Sequence, residues 1–133
     1  MGIMDLHETR SRLSADSTLD KPGLRKDILS LIYSYRFTKI KVKGGGREVW
    51  IYGGPERDYV IIPESFCSCM DFTIRVVSRG ETPYCKHLLG LEVARRLGKY
   101  REIEMEVQDV IKVVREVFAK GFSRTLHRIL YKY

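Results

Sequence analysis

The stretch that decides the fold reads Cys67-Ser68-Cys69 and is followed, after a gap of fifteen residues, by Cys85-Lys86-His87. These two segments contain every cysteine of the chain and one of its three histidines. Thiolates and imidazoles are the ligands of tetrahedral Zn²⁺, and a set of three cysteines and one histidine fills all four positions. We therefore expect one structural Zn²⁺ bound by Cys67, Cys69, Cys85 and His87, with no open position for catalysis.

The surrounding residues predict where the two ligand segments lie. The first segment is expected at a strand end or knuckle, where the chain can turn around the metal. Thr82-Pro83-Tyr84 breaks the chain before the second segment, and the apolar spacing from Leu88 to Leu97 predicts a helix. The second segment then lies in the first helical turn, where the helix dipole favours a thiolate at Cys85.

Three other interpretations of the cysteines stay open on the residues alone. Three thiols cannot pair completely as disulfides, and no secretory signal is evident before them. A catalytic cysteine with His87 as its base needs the surroundings of a nucleophile, which nothing else in the chain marks. Unrelated buried cysteines are the third alternative. We expect a protein without catalytic residues and without a small-molecule substrate.

The order Cys-x-Cys, variable gap, Cys-x-His resembles the SWIM zinc finger, and the resemblance covers about residues 48–97, the expected finger core. It implies binding of DNA or protein and not catalysis. One subgroup of the family consists of small recombination mediators that partner RecA-family paralogues, and its signature extends to Cys-x-His-x-x-Ala. The corresponding residue here is Gly90, which is also small. The resemblance thus implies an adaptor in DNA recombination or repair, and a RecA-family paralogue as its protein partner.

Composition limits the classes of function. The chain has 133 residues, with 24 basic and 17 acidic side chains and a net charge of +7. It is too short for an ATPase or a transposase to accompany the finger. The basic excess suits phosphates or an acidic protein surface. Because no apolar run approaches the roughly 18 residues of a membrane span, we expect an intracellular protein, cytoplasmic or nucleoid-associated, without membrane contact.

Apolar periodicity predicts an α+β fold. Residues 1–20 are expected to form an N-terminal arm and residues 21–133 a single SWIM-type domain. An amphipathic helix is predicted from Lys21-Pro22 to Tyr35. A small antiparallel sheet follows, with strands predicted at residues 38–43, 47–52, 59–62 and 72–77.

The C-terminal third is predicted to be a helical extension at 102–133. Glu102, Glu104 and Glu106 precede its apolar residues, and acidic residues at a helix start agree with the helix dipole. Gly121 is expected to end one helix and Ser123 to cap the next. In this last helix, His127 is expected to be a surface or packing residue and not a fifth ligand.

One predicted surface could bind single-stranded nucleic acid. Alternation in the first strand places its lysines on one face, and Trp50 and Tyr52 lie outside beside them if Val49 and Ile51 point inward. Cations interleaved with aromatic rings serve phosphates and bases, although a solvated face or a protein interface fits the same pattern. Gly44-Gly45-Gly46 indicates a hairpin turn and not a phosphate-binding loop. The candidate nucleic-acid contacts are Lys39, Lys41, Lys43, Arg47, Trp50, Tyr52, Arg95 and Arg96.

Overall fold

The computed structural model describes residues 24–82 and 84–131. Its elements follow in the order α1 (Leu24–Tyr33), β1 (Phe37–Val42), β2 (Glu48–Gly53), β3 (Asp58–Ile62), β4 (Phe66–Cys67), a π-helix (Phe72–Ser78), α2 (Lys86–Leu97), β5 (Arg101–Met105), α3 (Val107–Lys120) and α4 (Arg124–Leu130). The predicted α+β fold, with helices on both sides of the sheet in sequence order, is confirmed. The arm predicted at residues 1–20 lies outside the described residues.

The described strands form one sheet in the order β4-β3-β2-β1-β5. β1 and β2 form the predicted antiparallel hairpin, in which Ile40 lies opposite Val49. Gly44 and Gly46 in its turn have positive φ, a conformation that glycine adopts without a Cβ clash. β3 and β4 continue the antiparallel pairing, so the sheet leads directly to Cys67 at the end of β4.

The fifth strand occupies a segment that the sequence predicts as the start of a helix. β5 pairs in parallel with β1, with Ile103 opposite Ile40. Ile103 and Met105 alternate with Glu102 and Glu104, and this period of two suits a strand. The prediction of helix from residue 102 is therefore wrong. The helical extension begins at Val107, after the sheet is complete.

Helices cover both faces of the sheet. α1 and α2 pack on one face, in a core that contains Phe37, Trp50 and Tyr52. α3 and α4 pack on the other, against Ile40, Ile51 and neighbouring residues. Alternating sequence in a strand therefore separates two buried faces here, instead of a buried face and a solvated one. In the described part of the chain, no helix has both the length and the apolar character needed to cross a membrane.

A π-helix replaces the strand predicted at residues 72–77. Phe72 and Val76 are its buried residues, four positions apart and on one helical face. The Phe72 amide donates to Sγ of Cys69 at 3.3 Å, and the Thr73 amide donates to the Cys69 carbonyl. The chain thus bends into a helical turn at Cys69. A strand would need an extended backbone at this point, so strand pairing ends here. The alternation of apolar residues does not reveal this bend.

The end of α3 and the start of α4 lie at the predicted residues. Gly121 follows α3 with φ of 74° and ends it in the left-handed conformation. Ser123 caps α4, and its side chain accepts a hydrogen bond from the Leu126 amide at 3.1 Å. Both cap predictions are confirmed.

Candidate metal centre

The first ligand pair lies where the sheet ends. Cys67 is the last residue of β4 and lies opposite Ile61 of β3. The next residue, Ser68, bonds to Val60 twice: its amide donates to the Val60 carbonyl at 3.0 Å, and its hydroxyl accepts from the Val60 amide at 2.9 Å. Through these two bonds, Ser68, which lies between the two cysteines, holds the chain against β3. The turn begins at the next residue, Cys69. The strand-end position predicted for this pair is confirmed.

The second pair lies at the start of α2, as predicted. Cys85 is the N-cap, and its Sγ accepts a hydrogen bond from the Leu88 amide at 3.4 Å. His87 is in the first turn of the helix, and its ring packs against Tyr52 and Tyr59 with centroid distances of 4.4 and 4.9 Å. The helix start therefore places the thiol, and the two tyrosines hold the imidazole.

The four predicted ligands come together. One ligand atom from each of Cys67, Cys69, Cys85 and His87 lies within 4.8 Å of all the others. The three cysteines are buried and none is in a disulfide. Sγ of Cys67 lies 3.9 Å from Nδ1 of His87. This arrangement fits a single metal ion between the end of β4 and the start of α2.

The thiols interact strongly with one another. Hydrogen bonds from Cys67 and then Cys85 lower the pKa of Cys69. The hydrogen bonds to Cys69 and to Cys85, together with burial, raise the pKa of Cys67. For Cys85, the hydrogen bond with Cys67 lowers the pKa, but the bond with Cys69 and burial outweigh it and raise the pKa to about 12. The cluster by itself thus favours one thiolate, and three thiolates need a cation among them.

The residues fit a zinc-binding site in donor chemistry as well as in position. Three sulphurs and one nitrogen are a set that tetrahedral Zn²⁺ accepts. The amides of Phe72 and Leu88 point at two of the sulphurs and stabilise negative charge there. Four protein ligands fill the coordination sphere, and the burial of the sulphurs keeps water away from them. Among the described residues, His127 is not part of this cluster.

The predicted aromatic half of a nucleic-acid surface is buried. Trp50 and Tyr52 lie on the same face as Lys39, as predicted, but they are only 2% and 7% exposed. The reason is that α2 crosses this face: the Arg95 guanidinium lies 5.8 Å from the Trp50 ring, and His87 packs on Tyr52. The prediction that the two rings stand outside is therefore wrong. From these buried positions the rings cannot stack on bases.

The predicted cationic half is largely paired with carboxylates. Lys39 pairs with Glu48 at 3.2 Å, Lys41 with Glu102 at 3.7 Å, and Lys43 with Glu106 at 3.5 Å. Arg95 and Arg96 both pair with Glu92, at 3.5 and 3.4 Å. The Arg47 side chain is exposed at the tip of the hairpin. Nucleic-acid contact by these residues stays a prediction.

A polar cavity beside Trp50 includes residues that the sequence interpretation missed. Its volume is about 340 Å³, and its lining consists of Lys39, Glu48, Trp50, Glu92, Arg95, Arg96 and Tyr100. Four of these are predicted nucleic-acid contacts, while Glu48, Glu92 and Tyr100 are new. The spacing of Glu92 to Arg95 and Arg96 on a helix is the signal that predicts its ion pairs. No sequence signal predicts that Tyr100 packs edge-to-face on Trp50.

Gly90 lies where α2 approaches the sheet. A Cβ atom at this position would lie 3.1 Å from Cζ of Phe37, which is fully buried. The close approach explains a residue without a side chain at this point of the helix.

No protein-family model and no solved structure matches the chain. It is 24% identical over 87 residues to "Zinc finger SWIM domain-containing protein 7" of Danio rerio, which covers 65% of this chain and 62% of that protein. It is 30% identical over 60 residues to an uncharacterized protein of Archaeoglobus fulgidus, covering 45% of this chain and 50% of that one. The chain thus spans less than two thirds of the length of each relative.

The cluster and the first of these similarities agree with the sequence interpretation. The ligand order Cys-x-Cys, Cys-x-His and the gathered ligand atoms support the resemblance independently of overall identity. Together they confirm a zinc-finger-like arrangement and indicate a zinc-binding domain.

Proposed function

We propose that this chain, whose cluster and similarity fit a SWIM-like zinc finger, is a zinc-stabilised, non-catalytic adaptor for a protein partner. One Zn²⁺, bound by Cys67, Cys69, Cys85 and His87, would supply structural stability by joining the end of β4 to the start of α2. The observation that carries the proposal is the closed set of four protein ligands with buried sulphurs. Such a set leaves no coordination position for substrate.

Exposed apolar side chains support a protein partner. Met70, Ile74 and Val77, here called the zinc-lobe patch, are 72%, 39% and 49% exposed. The patch begins directly after the ligand Cys69 and continues along the π-helix, so metal binding and the shape of the patch are coupled. Exposed apolar groups that cluster on one lobe are typical of protein-binding surfaces.

The partner that the resemblance implies is a RecA-family paralogue, with a role in DNA recombination or repair. The paired lysines of β1 and the buried rings of β2 favour a protein over nucleic acid as the main ligand, because few cations on that face are available for phosphates.

A pull-down from nuclease-treated host extract tests the adaptor function. Zinc-loaded wild type should capture a protein in stoichiometric amount, and Cys69→Ala should capture much less because the zinc-lobe patch loses its shape. Lys86→Ala, an exposed residue between two ligands, is the matched control and should behave as wild type. Recovery of no stoichiometric partner by wild type would contradict the proposal.

Direct DNA binding is the second candidate, favoured by the cavity that gathers Lys39, Arg95 and Arg96. If this function holds, affinity for a single-stranded oligonucleotide should fall by about tenfold or more between 50 and 200 mM salt. Arg95→Glu with Arg96→Glu should weaken binding, whereas Arg79→Glu, in an exposed ion pair on the zinc lobe, should have little effect. Absent or salt-independent binding would contradict direct DNA binding as the function.

A further inference from the structure

Helix α3 carries two apolar stripes, and only one of them is fully buried; of the other, Val114 alone packs against the core. The inner stripe, Val110, Val113 and Val117, is buried against the sheet. The second, here called the outer stripe, consists of Val107, Ile111, Val114 and Phe118. Val107, Ile111 and Phe118 are 51%, 46% and 58% exposed, and Val114 is half-buried between them. Helix α3 thus buries one apolar face in the core of this domain and leaves a second apolar face at the surface.

The outer stripe has the geometry of a helix-packing seam. Its residues are four, three and four positions apart, which places them along one side of the helix. The stripe extends over about 17 Å, or three turns. A strongly charged or polar outer side is the usual pattern for a helix that covers a sheet at the surface. An apolar seam of this length at that position indicates a helix-binding surface.

The edge of the outer stripe away from the core is basic. Arg115 lies four residues after Ile111 and three before Phe118, and therefore next to both on the helix. Lys112 lies one turn before Arg115 on the same edge. Neither has a carboxylate of the described residues within 4.0 Å, although the charge of Lys112 acts on Glu116, four residues later, and helps to lower the pKa of that carboxyl group. Lys39, Lys41 and Lys43 of β1, in contrast, each pair closely with a carboxylate. The positive edge therefore favours carboxylates on whatever packs against the stripe.

We infer that the outer stripe of α3 is the docking site for an amphipathic helix of a protein partner, one with an apolar seam and acidic residues along the edge beside Arg115 and Lys112. This inference rests on the proposed adaptor function, and it specifies the kind of partner surface that the adaptor binds. The partner's seam buries Ile111 and Phe118, and its carboxylates pair with the two cations. The mode is that of a helix laid along an apolar stripe, with charge setting the choice of partner.

A second copy of this chain fits the surface less well. Its outer stripe has Gln108, Lys112 and Arg115 along the free edge, without a carboxylate. Two such stripes packed together bring cations near cations, which costs free energy. An acidic partner avoids that repulsion and places carboxylates beside the cations.

Two synthetic helical peptides serve as probes. Both have the same seam of leucine and isoleucine, but one has Glu on its flanks and the other Lys. Binding to the full zinc-loaded chain is followed by fluorescence anisotropy. The acidic peptide should bind about tenfold or more tightly than the basic one. Ile111→Glu should weaken binding of the acidic peptide by at least about tenfold, and the milder Ile111→Ser should weaken it less.

Reversal of the edge charge gives the sharpest readout. Lys112→Glu with Arg115→Glu should invert the preference, so that the basic peptide binds more tightly. Leu97→Glu, which changes a similarly exposed apolar residue at the end of α2, on the other face of the sheet, should leave both affinities unchanged. Zinc content and thermal midpoint show that each variant is folded. These substitutions lie at exposed positions, so folding should survive them.

The outcomes separate this site from the adaptor function. Equal binding of the two peptides, binding of neither, or full retention by Ile111→Glu would overturn the docking site. Self-association of wild type that Ile111→Glu abolishes in sedimentation would assign the stripe to a second copy and overturn it as well. Selective peptide binding with an empty pull-down from extract would refute the adaptor function and leave the docking site standing.

Discussion

His127 lies with Nε2 2.8 Å from Oδ1 of Asp58, a fully buried carboxylate 69 residues earlier in the chain. The other carboxylate oxygen accepts a hydrogen bond from the Ser123 amide at 2.8 Å. Asp58 begins β3, and its two partners belong to the start of α4. This contact fixes the last helix to the strand that leads into the metal centre.

Removal of the Asp58 carboxylate should destabilise the whole domain. Asp58→Ala leaves the buried Ser123 amide without an acceptor and His127 without its partner, at a cost of about 2 to 4 kcal/mol. Urea unfolding followed by circular dichroism measures this change. Asp71→Ala removes an exposed carboxylate paired with Arg75 and should cost less than about 1 kcal/mol. Equal costs for the two variants would contradict a structural role for Asp58.

Loss of one zinc ligand should open the metal lobe first. Cys69→Ala removes a sulphur and the acceptor of the Phe72 amide, so the protein should lose tightly bound zinc. Amide hydrogen exchange should accelerate in the π-helix and in the first turn of α2, while α3, in the other core, keeps its protection. Mass spectrometry measures both metal content and exchange. Zinc content equal to wild type would refute the ligand assignment, and Lys86→Ala is the control.

Gly90 and Phe37 should show coupled effects on stability. Gly90→Ala places a methyl group 3.1 Å from Cζ of a ring that is fully buried, so we expect a net loss of about 1 kcal/mol despite the better helix propensity of alanine. In a Phe37→Leu background the clash is gone, and Gly90→Ala should then stabilise by a few tenths of a kcal/mol. A double-mutant cycle in urea measures the difference. A coupling energy of about zero would show that the Phe37 ring can move aside without cost, and would contradict the expected clash.

Glu116 should make stability depend on pH. Burial raises the pKa of Glu116, but hydrogen bonds from Ser123 and Thr125 outweigh it and lower the pKa below its ordinary value of 4.5. A lowered pKa in the folded state means that the carboxylate contributes stability above about pH 4.5 and loses this contribution as the pH falls through the folded value.

Glu116→Gln tests this dependence directly. It should be less stable than wild type by about 1 kcal/mol at pH 7, and the difference should shrink as the pH falls below 4.5. Comparison of the two proteins at each pH cancels the effect of acid on the thiolates. Asp109→Asn, an exposed carboxylate in the same helix, should differ from wild type by less than about 0.5 kcal/mol at every pH. A difference for Glu116→Gln that does not vary with pH would be inconsistent with the lowered pKa.

Local chemistry explains which elements could be predicted from sequence. The ligands come from two segments of three residues, and a donor set carries its own signal wherever the fold places it. The hairpin turn depends on Gly44 and Gly46, whose positive φ needs glycine, and the last two helices depend on Gly121 and Ser123 at their ends. In each case neighbouring residues decide the conformation.

The errors occur where distant residues decide. The alternation of Phe72, Ile74 and Val76 predicts a strand, but the Phe72 amide bonds to Cys69, and the metal centre fixes where that sulphur lies. Trp50 is buried because α2 passes over it, which no pattern within β2 reveals. Glu102 and Glu104 fit either the start of a helix or an edge strand, and the open side of β1 selects the strand.

The parallel pairing of β5 with β1 determines the order in which the molecule can assemble. Every ligand of the metal centre, the last being His87, leaves the ribosome before residues 101–105 do. Until β5 arrives, β1 is an edge strand with unpaired backbone groups, and pairing must bring Thr38 and Arg101, 63 residues apart in the sequence, together. We therefore expect metal uptake to precede sheet closure during synthesis. Because the pairing of β5 with β1 is the least local in the sheet, we also expect closure to be slow and β1 to be exposed to aggregation until it is complete.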